Sequence, residues 1–220
     1  MSHAAGHRLP SFFDPLSDGV VALRRFTEDD IPTLAACLQD PEIPRWTRVP
    51  TPYAEQDARE YLAGGEEAWQ AGEEAGLAIV EARSGELVGA VGLVYIEWED
   101  ERAEIGYWVA ARARRAGVAT RAVRLLARWA FAELGLFRLE ILPDVENQAS
   151  LAVARACGFR EEGVLRANTL ITGRRGDNVV FSLLACDPAA LELLGRGDEP
   201  PGKPAAGGAV TGQASRRPRR

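Results

Sequence analysis

The stretch that decides the reading runs from Glu104 to Leu126, EIGYWVAARARRAGVATRAVRLL. An apolar and aromatic run, Ile105 to Val109, ends in a short basic loop that turns at Gly117 into an amphipathic helix carrying Ala122, Val123 and Leu126. The local order is strand, Arg and Gly loop, helix. A helix start leaves backbone N–H groups without intrahelical partners, so a loop wrapped onto it aims donors and the positive dipole end at one point. Such a point suits phosphate. Gly117 lets the backbone approach a ligand closely, Ala119 is the next smallest choice two positions on, and Arg112, Arg114 and Arg115 add positive charge. An ordinary strand-to-helix turn with a solvated charge run shares several of these features.

Spacing removes two other phosphate loops. The dinucleotide fingerprint needs three glycines, and only Gly117 is present here. The nucleotide-triphosphate loop ends in Gly-Lys-Ser/Thr, whereas the single lysine of this chain is Lys203. What remains is Arg114-x-x-Gly117-x-Ala119. It resembles the pyrophosphate loop of the GNAT acyl-CoA-dependent N-acyltransferases, Gln/Arg-x-x-Gly-x-Gly/Ala, whose amides hold the diphosphate of coenzyme A.

A chain of 220 residues suits one domain with a tail. No run approaches the roughly 20 apolar residues of a membrane span, and the N-terminus lacks the apolar core of a secretory signal. Cys37, Cys157 and Cys186 are odd in number, widely spaced and without CxxC. They suit a reducing, cytoplasmic location rather than a disulfide framework or zinc ribbon. Both histidines, His3 and His7, lie in the N-terminal arm, so proton transfer in the core falls to carboxylates, hydroxyls, tyrosines, cysteines or water, and no metal is expected. From Gly195 onward the tail carries a net charge of +4, so that with −6 for the whole chain the remainder carries −10. An acidic body favours a cationic partner such as an amine and disfavours nucleic acid, except for weak contact through the tail. Net charge that serves solubility alone is the plainer account of the same numbers.

In order, Val20 to Phe26 reads as a strand and Thr27 caps a helix to about Gln39. A Pro-punctuated loop with Trp46 and Tyr53 follows, and Thr51-Pro52 is expected to start a second helix toward Trp69. Leu77 to Ala82 and Leu87 to Ile96 form a hairpin about Ser84-Gly85-Glu86, and Glu97 to Glu101 makes an acidic turn. The helix after the loop runs to about Leu134 with Gly135 as its cap. Phe137 to Leu142 is a strand expected to lie parallel to the strand before the loop, because a helical crossover joins them. Asn147 caps a short helix ending at Cys157-Gly158; strands Phe159 to Ala167 and Val179 to Ala185 flank a turn at Gly173 to Gly176. The expected division is a flexible arm over 1–17, a domain over 18–187, and a disordered tail over 188–220 in which one more helical turn forms near Leu191.

The second half extends the resemblance over most of residues 20 to 186. The strand EIGYWV, the loop, the helix, the strand RLEIL, Asn147-x-x-Ser150 and Cys157-Gly158-Phe159 follow the GNAT order; the steps LGLFRLE, ENQAS and GFREEGVLR are similar to the Rim branch that acetylates ribosomal-protein N-termini. The resemblance implies an α/β (α+β) GNAT fold: a mixed, mostly antiparallel sheet of about six to seven strands with a splayed parallel pair and helices on both faces. It implies acetyl-CoA as cosubstrate, its pantetheine arm meeting backbone near Trp108 and Val109. Its diphosphate would meet amides of Arg114, Arg115, Ala116, Gly117, Val118, Ala119 and Thr120. Asn147 would hold a pantetheine amide, act as a plain N-cap, or both.

Attack of a neutral amine on the thioester needs a base, donors for the oxyanion and an acid for the thiolate. The Val109 N–H is the candidate oxyanion donor and Ser150 the candidate acid, with helix capping as its equal alternative. Many family members place a tyrosine where this chain has Ala154, which leaves Ser150 as the expected substitute. Glu104 and Glu140 are the candidate bases; pairing with Arg102 or Arg138 is the structural alternative for both. The implied acceptor is a primary amine, first a protein N-terminal α-amine, with a small-molecule amine (aminoglycoside, polyamine or amino acid) as alternative. A third reading is an acyl-CoA-binding module without turnover that uses the basic tail on RNA. No membrane partner is expected, and the chain is read as a monomer or homodimer.

Overall fold

The computed structural model describes residues 9–195. In chain order its elements are β1 (Leu16–Ser17), β2 (Val21–Arg24), α1 (Ile31–Cys37), α2 (Glu42–Trp46), α3 (Glu55–Ala71), β3 (Ala75–Glu81), β4 (Leu87–Glu97), β5 (Arg102–Val109), α4 (Val118–Ala132), β6 (Arg138–Ile141), α5 (Gln148–Ala156), β7 (Arg160–Ile171), β8 (Arg174–Leu184) and α6 (Pro188–Leu193). The strands form one open eight-stranded sheet in the order β1-β2-β3-β4-β5-β6-β8-β7. All neighbours are antiparallel except β5 and β6, the parallel pair predicted from the helical crossover between them. The eighth strand, beyond the seven read in the sequence, is β1, too short to leave a periodic signal.

Helices cover both faces. On one, α4 lays Ala122, Val123, Leu126, Ala127 and Ala130, all fully buried, against Leu77, Leu93, Ile105 and Leu139. That stripe follows the 3.6-residue period of the sequence, and burying each large side chain contributes about 1.5–3 kcal/mol. On the other face Leu34, Leu38, Ile43, Tyr53 and Ala58, from α1 to α3, cover Ala78, Val80 and Leu87. At its centre the sheet is therefore dry on both sides, and β3 and the first half of β4 read as continuous apolar runs for that reason.

Several expectations are corrected. Thr51-Pro52 does not start α3; Asp57 accepts the Ala54 N–H at 2.7 Å, and this carboxylate fixes the start three residues before itself. The Pro-punctuated loop contains the short helix α2. The turn between β7 and β8 is Thr172-Gly173, both with positive φ as a two-residue type I′ hairpin requires; Gly176 lies within β8, where a Cβ would stand 2.4 Å from the Asp144 carboxylate. Residues 9–17 are not a loose arm: Leu9 is buried, Phe13 packs edge-on against Trp69 and Trp129, and the Pro10 carbonyl accepts from the Trp69 indole. Nor does the packed domain stop at 187, because α6 buries Ala190 in the core beside α4. The expectations for residues 1–8 and 196–220 lie outside the described residues.

Candidate active site

The parallel pair is a fork. Residues pair at Arg102↔Arg138, Ala103↔Leu139 and Glu104↔Glu140, and there the ladder ends. β5 continues to Val109 hydrogen-bonded to β4 alone, while β6 stops at Ile141. The Ala110 N–H donates to the Val88 carbonyl, so the strand's alternation turns Trp108 toward Ala90 of β4 and the Val109 N–H into the fork. Of the two residues expected beside a pantetheine arm, Val109 thus offers an open backbone donor, while the Trp108 backbone is committed to β4 and its side chain packs toward the α1–α3 face.

At the mouth of the fork, Arg115 and Gly117 both take left-handed backbone, with φ of 63° and 75°. Gly117 is the N-cap of α4 and supplies no side-chain cap. The helical ladder begins with the Arg121 N–H on the Gly117 carbonyl, so the amides of Val118, Ala119 and Thr120 point past the helix start. This is an anion cradle of the kind formed where left-handed residues meet a helix N-terminus. Ala116 and Gly117 are exposed beside it. Two of the three loop arginines, however, are drawn away. Arg114 pairs with Asp40 and donates to the Val109 carbonyl; Arg112 donates to the Leu87 carbonyl and pairs with Glu86 at 2.7 Å. Their acids come from the turn after α1 and from the β3–β4 hairpin, distant in sequence. Backbone donors, rather than three free cations, are what this loop offers to an anion.

Asn147 caps α5 as expected, its Oδ1 accepting from the Ser150 N–H at 3.1 Å. Its Nδ2 has no hydrogen-bond partner among the described residues, and therefore a second contact is open to it. Ser150 is half-buried in the first turn of α5, and 2.7 Å from its Oγ stands the Tyr107 hydroxyl. Tyr107 comes from β5, on the face it shares with buried Ala103 and Ile105. Burial pushes its phenol up to about 12, with the Ser150 hydrogen bond pulling weakly the other way. Ser150 is thus not alone in place of the residue missing at Ala154. A strand tyrosine, passed over in the sequence, completes a hydroxyl pair. Alternation along Ala103, Ile105 and Tyr107 was the available signal; the approach of α5 was not.

On the opposite face of β5, Glu104 and Glu140 lie side by side at the apex of the fork. They are not equivalent. Glu140 accepts from Arg138 Nε at 2.7 Å, and the same guanidinium forks onto Glu162, which also accepts from the buried Ser182 hydroxyl. Glu104 has no hydrogen bond or ion pair among the described residues. Burial raises its pKa, the Glu140 charge raises it further, and Arg48 acts in the opposite sense. Between Glu104 and Trp108, which face the same way, Gly106 leaves open space where a Cβ would stand. That open space lies next to the Glu104 carboxylate, unpaired among the described residues.

The forked parallel pair and the loop that opens α4 follow the element order expected from the sequence. The chain matches the family model described as acetyltransferase (GNAT) domain over residues 21–160 and belongs to that family. It is 40% identical over 100 residues to YdaF of Bacillus subtilis (strain 168), covering 46% of this chain and 55% of that one. It is 34% identical over 90 residues to spermidine N(1)-acetyltransferase of Escherichia coli (strain K12), covering 41% and 48%. The chain therefore spans about half the length of these two curated relatives. Mycobacterium smegmatis RimJ, solved in complex with CoA-disulfide, superposes with a TM-score of 0.73 at 26% identity over 83% of this chain and 94% of that one. No helix among the described residues is long and apolar enough to cross a membrane.

Proposed function

We propose that the chain transfers an acetyl group from acetyl-CoA to a primary amine, with a protein N-terminal α-amine as its acceptor. The observation that carries this reading is the placement of Glu104 on one face of the forked strand and the Tyr107–Ser150 hydroxyl pair on the other. An amine entering over Gly106 loses its proton to Glu104, directly or through water, while the leaving sulfur is met from the opposite side. Acid and base then never compete for one proton. When bound, acetyl-CoA supplies an activated thioester carbonyl. The Val109 N–H is turned to donate to its oxygen; the amides of Arg114 to Thr120 hold the diphosphate; the free Nδ2 of Asn147 holds a pantetheine carbonyl.

Tyr107 is the stronger acid of the hydroxyl pair and donates to Ser150 Oγ, which leaves the Ser150 proton to point into the fork. Ser150 is accordingly the immediate donor to sulfur and Tyr107 its orienting partner. Of the carboxylates, Glu104 is the base and Glu140 the neighbour that raises it, because Arg138 holds Glu140 as a paired anion.

An α-amine, with a pKa near 8, gives up its proton to a modest base far more readily than a lysine amine near 10.4. YdaF, provisionally named a ribosomal N-acetyltransferase, supports a protein acceptor. The spermidine enzyme supports a polyamine instead, as does the acidic turn Glu97 to Glu101. In that turn, however, Glu97 and Asp100 are both engaged by Arg102. A coenzyme-binding module without turnover loses the support of the missing tyrosine once Tyr107 joins Ser150, while its basic tail lies outside the described residues. Thiol release from acetyl-CoA tests the proposal with three sets of acceptors: peptides bearing free N-termini, polyamines and aminoglycosides. Turnover with the peptides above the other two is expected; release with polyamines alone overturns the acceptor, and release with none overturns the activity.

A further inference from the structure

The α2–α3 loop brings one guanidinium to the acceptor side of the fork. Arg48 Nη1 donates to the Tyr95 hydroxyl at 3.0 Å. Arg48 makes no ion pair among the described residues, although its charge acts on Glu104. Tyr95 follows Val94, the β4 residue paired with Glu104, at the point where β4 slips out of register with β5. Its φ is 51°, a left-handed conformation that costs a non-glycine residue about 1–2 kcal/mol. Tyr95 is 59% exposed, so burial does not account for that strain, and its hydroxyl oxygen accepts from Arg48. The bulge brings the phenol to the guanidinium one residue beyond the pairing of Val94 with Glu104.

We propose that Arg48, held in place by Tyr95, reads the carbonyl oxygen adjacent to the acceptor amine, so that the site takes α-amines of peptides and rejects polyamines and lysine side chains. The inference rests on Glu104 being the base and the α-amine the acceptor. With the amine at Glu104, the atoms that follow in a peptide are Cα and then the first carbonyl, one bond further out. A guanidinium suits that oxygen, having several donors in a fixed plane of which the Tyr95 contact uses one. In a polyamine the same region holds methylenes and then a second ammonium, which faces Arg48 as a like charge. In a lysine side chain the amine is followed only by methylenes, leaving the donors of Arg48 without an acceptor.

The test compares two acceptors in the thiol-release assay: a short peptide, and the same peptide with an E-alkene in place of its first amide, which keeps shape but removes the carbonyl. Rates are taken per unprotonated amine, because the alkene leaves that amine more basic. A charged donor on a carbonyl corresponds to a preference of about tenfold or more in kcat/KM. Wild type is expected to show that preference for the amide, largely in KM, and Arg48→Ala to bring the ratio close to one. Tyr95→Phe is expected to fall between them. Acetyl-CoA affinity of Arg48→Ala, measured by calorimetry, stays at the wild-type value and certifies its fold. If Arg48→Ala slows both peptides equally, the carbonyl reading is wrong while the peptide acceptor stands. If wild type acetylates spermidine and neither peptide, the proposed acceptor fails and this inference falls with it.

Discussion

The Tyr107 phenol stands 2.7 Å from the Ser150 hydroxyl, joining the forked strand β5 to the first turn of α5. If Ser150 delivers the proton and Tyr107 orients it, Ser150→Ala lowers kcat by about 10²-fold, the lower end of general-acid contributions. Tyr107→Phe lowers it less, about tenfold. The double variant is no slower than Ser150→Ala alone, because one group acts through the other. Steady-state kinetics of the three variants check this.

If Glu104 is the base, it sets the acidic limb of the pH profile. Its raised pKa predicts that kcat/KM climbs with pH through a midpoint above the ordinary glutamate value of about 4.3. Glu140→Gln removes a negative neighbour and moves the midpoint down, whereas Glu104→Gln abolishes that limb. The linked effect on stability has the opposite sign to activity. A carboxyl that holds its proton more tightly when folded makes the unfolded chain the first to ionise as pH rises, so ionisation weakens the fold. Glu104→Gln is therefore more stable than wild type at pH 7 and indistinguishable from it below about pH 4, by urea unfolding at both pH values.

Glu162 behaves in reverse. The Arg138 fork holds its pKa down at about 2, with help from Ser182. Its contribution is complete above the unfolded value near 4.3 and is lost as pH falls toward about 2. Because Glu162 is 44% exposed and screened, the loss is under about 1 kcal/mol. Glu162→Gln destabilises at pH 7, and its effect fades as pH falls through about 2, by chemical denaturation. Losing this anchor of Arg138 also loosens Glu140.

Asn147 permits its two roles to be separated. Asn147→Ala removes the cap on the Ser150 N–H and costs about 1 kcal/mol of stability. Asn147→Asp keeps the cap oxygen but loses the Nδ2 donor, so its melting temperature stays near wild type while acetyl-CoA affinity falls. Calorimetry and thermal melts on the two variants distinguish these outcomes.

Gly117 tests the cradle. Its φ of 75° makes Gly117→Ala cost about 1–2 kcal/mol of backbone strain, even though nothing stands within 4 Å of the added Cβ. Relief of that strain by a shifted loop misplaces the amides of Val118 to Thr120. Weaker acetyl-CoA binding, with kcat at saturation little changed, is the expected signature.

How far these features were legible in the sequence follows from the range of the forces that make them. Gly117, Asn147, the apolar run Ile105 to Val109 and the crossover to Arg138 act within a few residues or one helix, and local pattern exposed them. The Tyr107–Ser150 contact spans 43 positions and depends on how α5 docks beneath β5. The choice between Glu104 and Glu140 was open in the sequence because it turns on Arg138 reaching across to Glu162. Loop arginines looked like free cations until Asp40 and Glu86 were folded against them. Tyr95 gave no signal at all, since its backbone strain arises from a slip in strand register.

The central claim is that Glu104 takes a proton from an N-terminal α-amine. One measurement addresses it most directly: locating by tandem mass spectrometry the acetyl group on a peptide that carries both a free N-terminus and an internal lysine, after reaction with acetyl-CoA at pH 7. The account predicts the label on the α-amine, and its loss with Glu104→Gln. A label on the lysine, or undiminished α-amine labelling by Glu104→Gln, would contradict it.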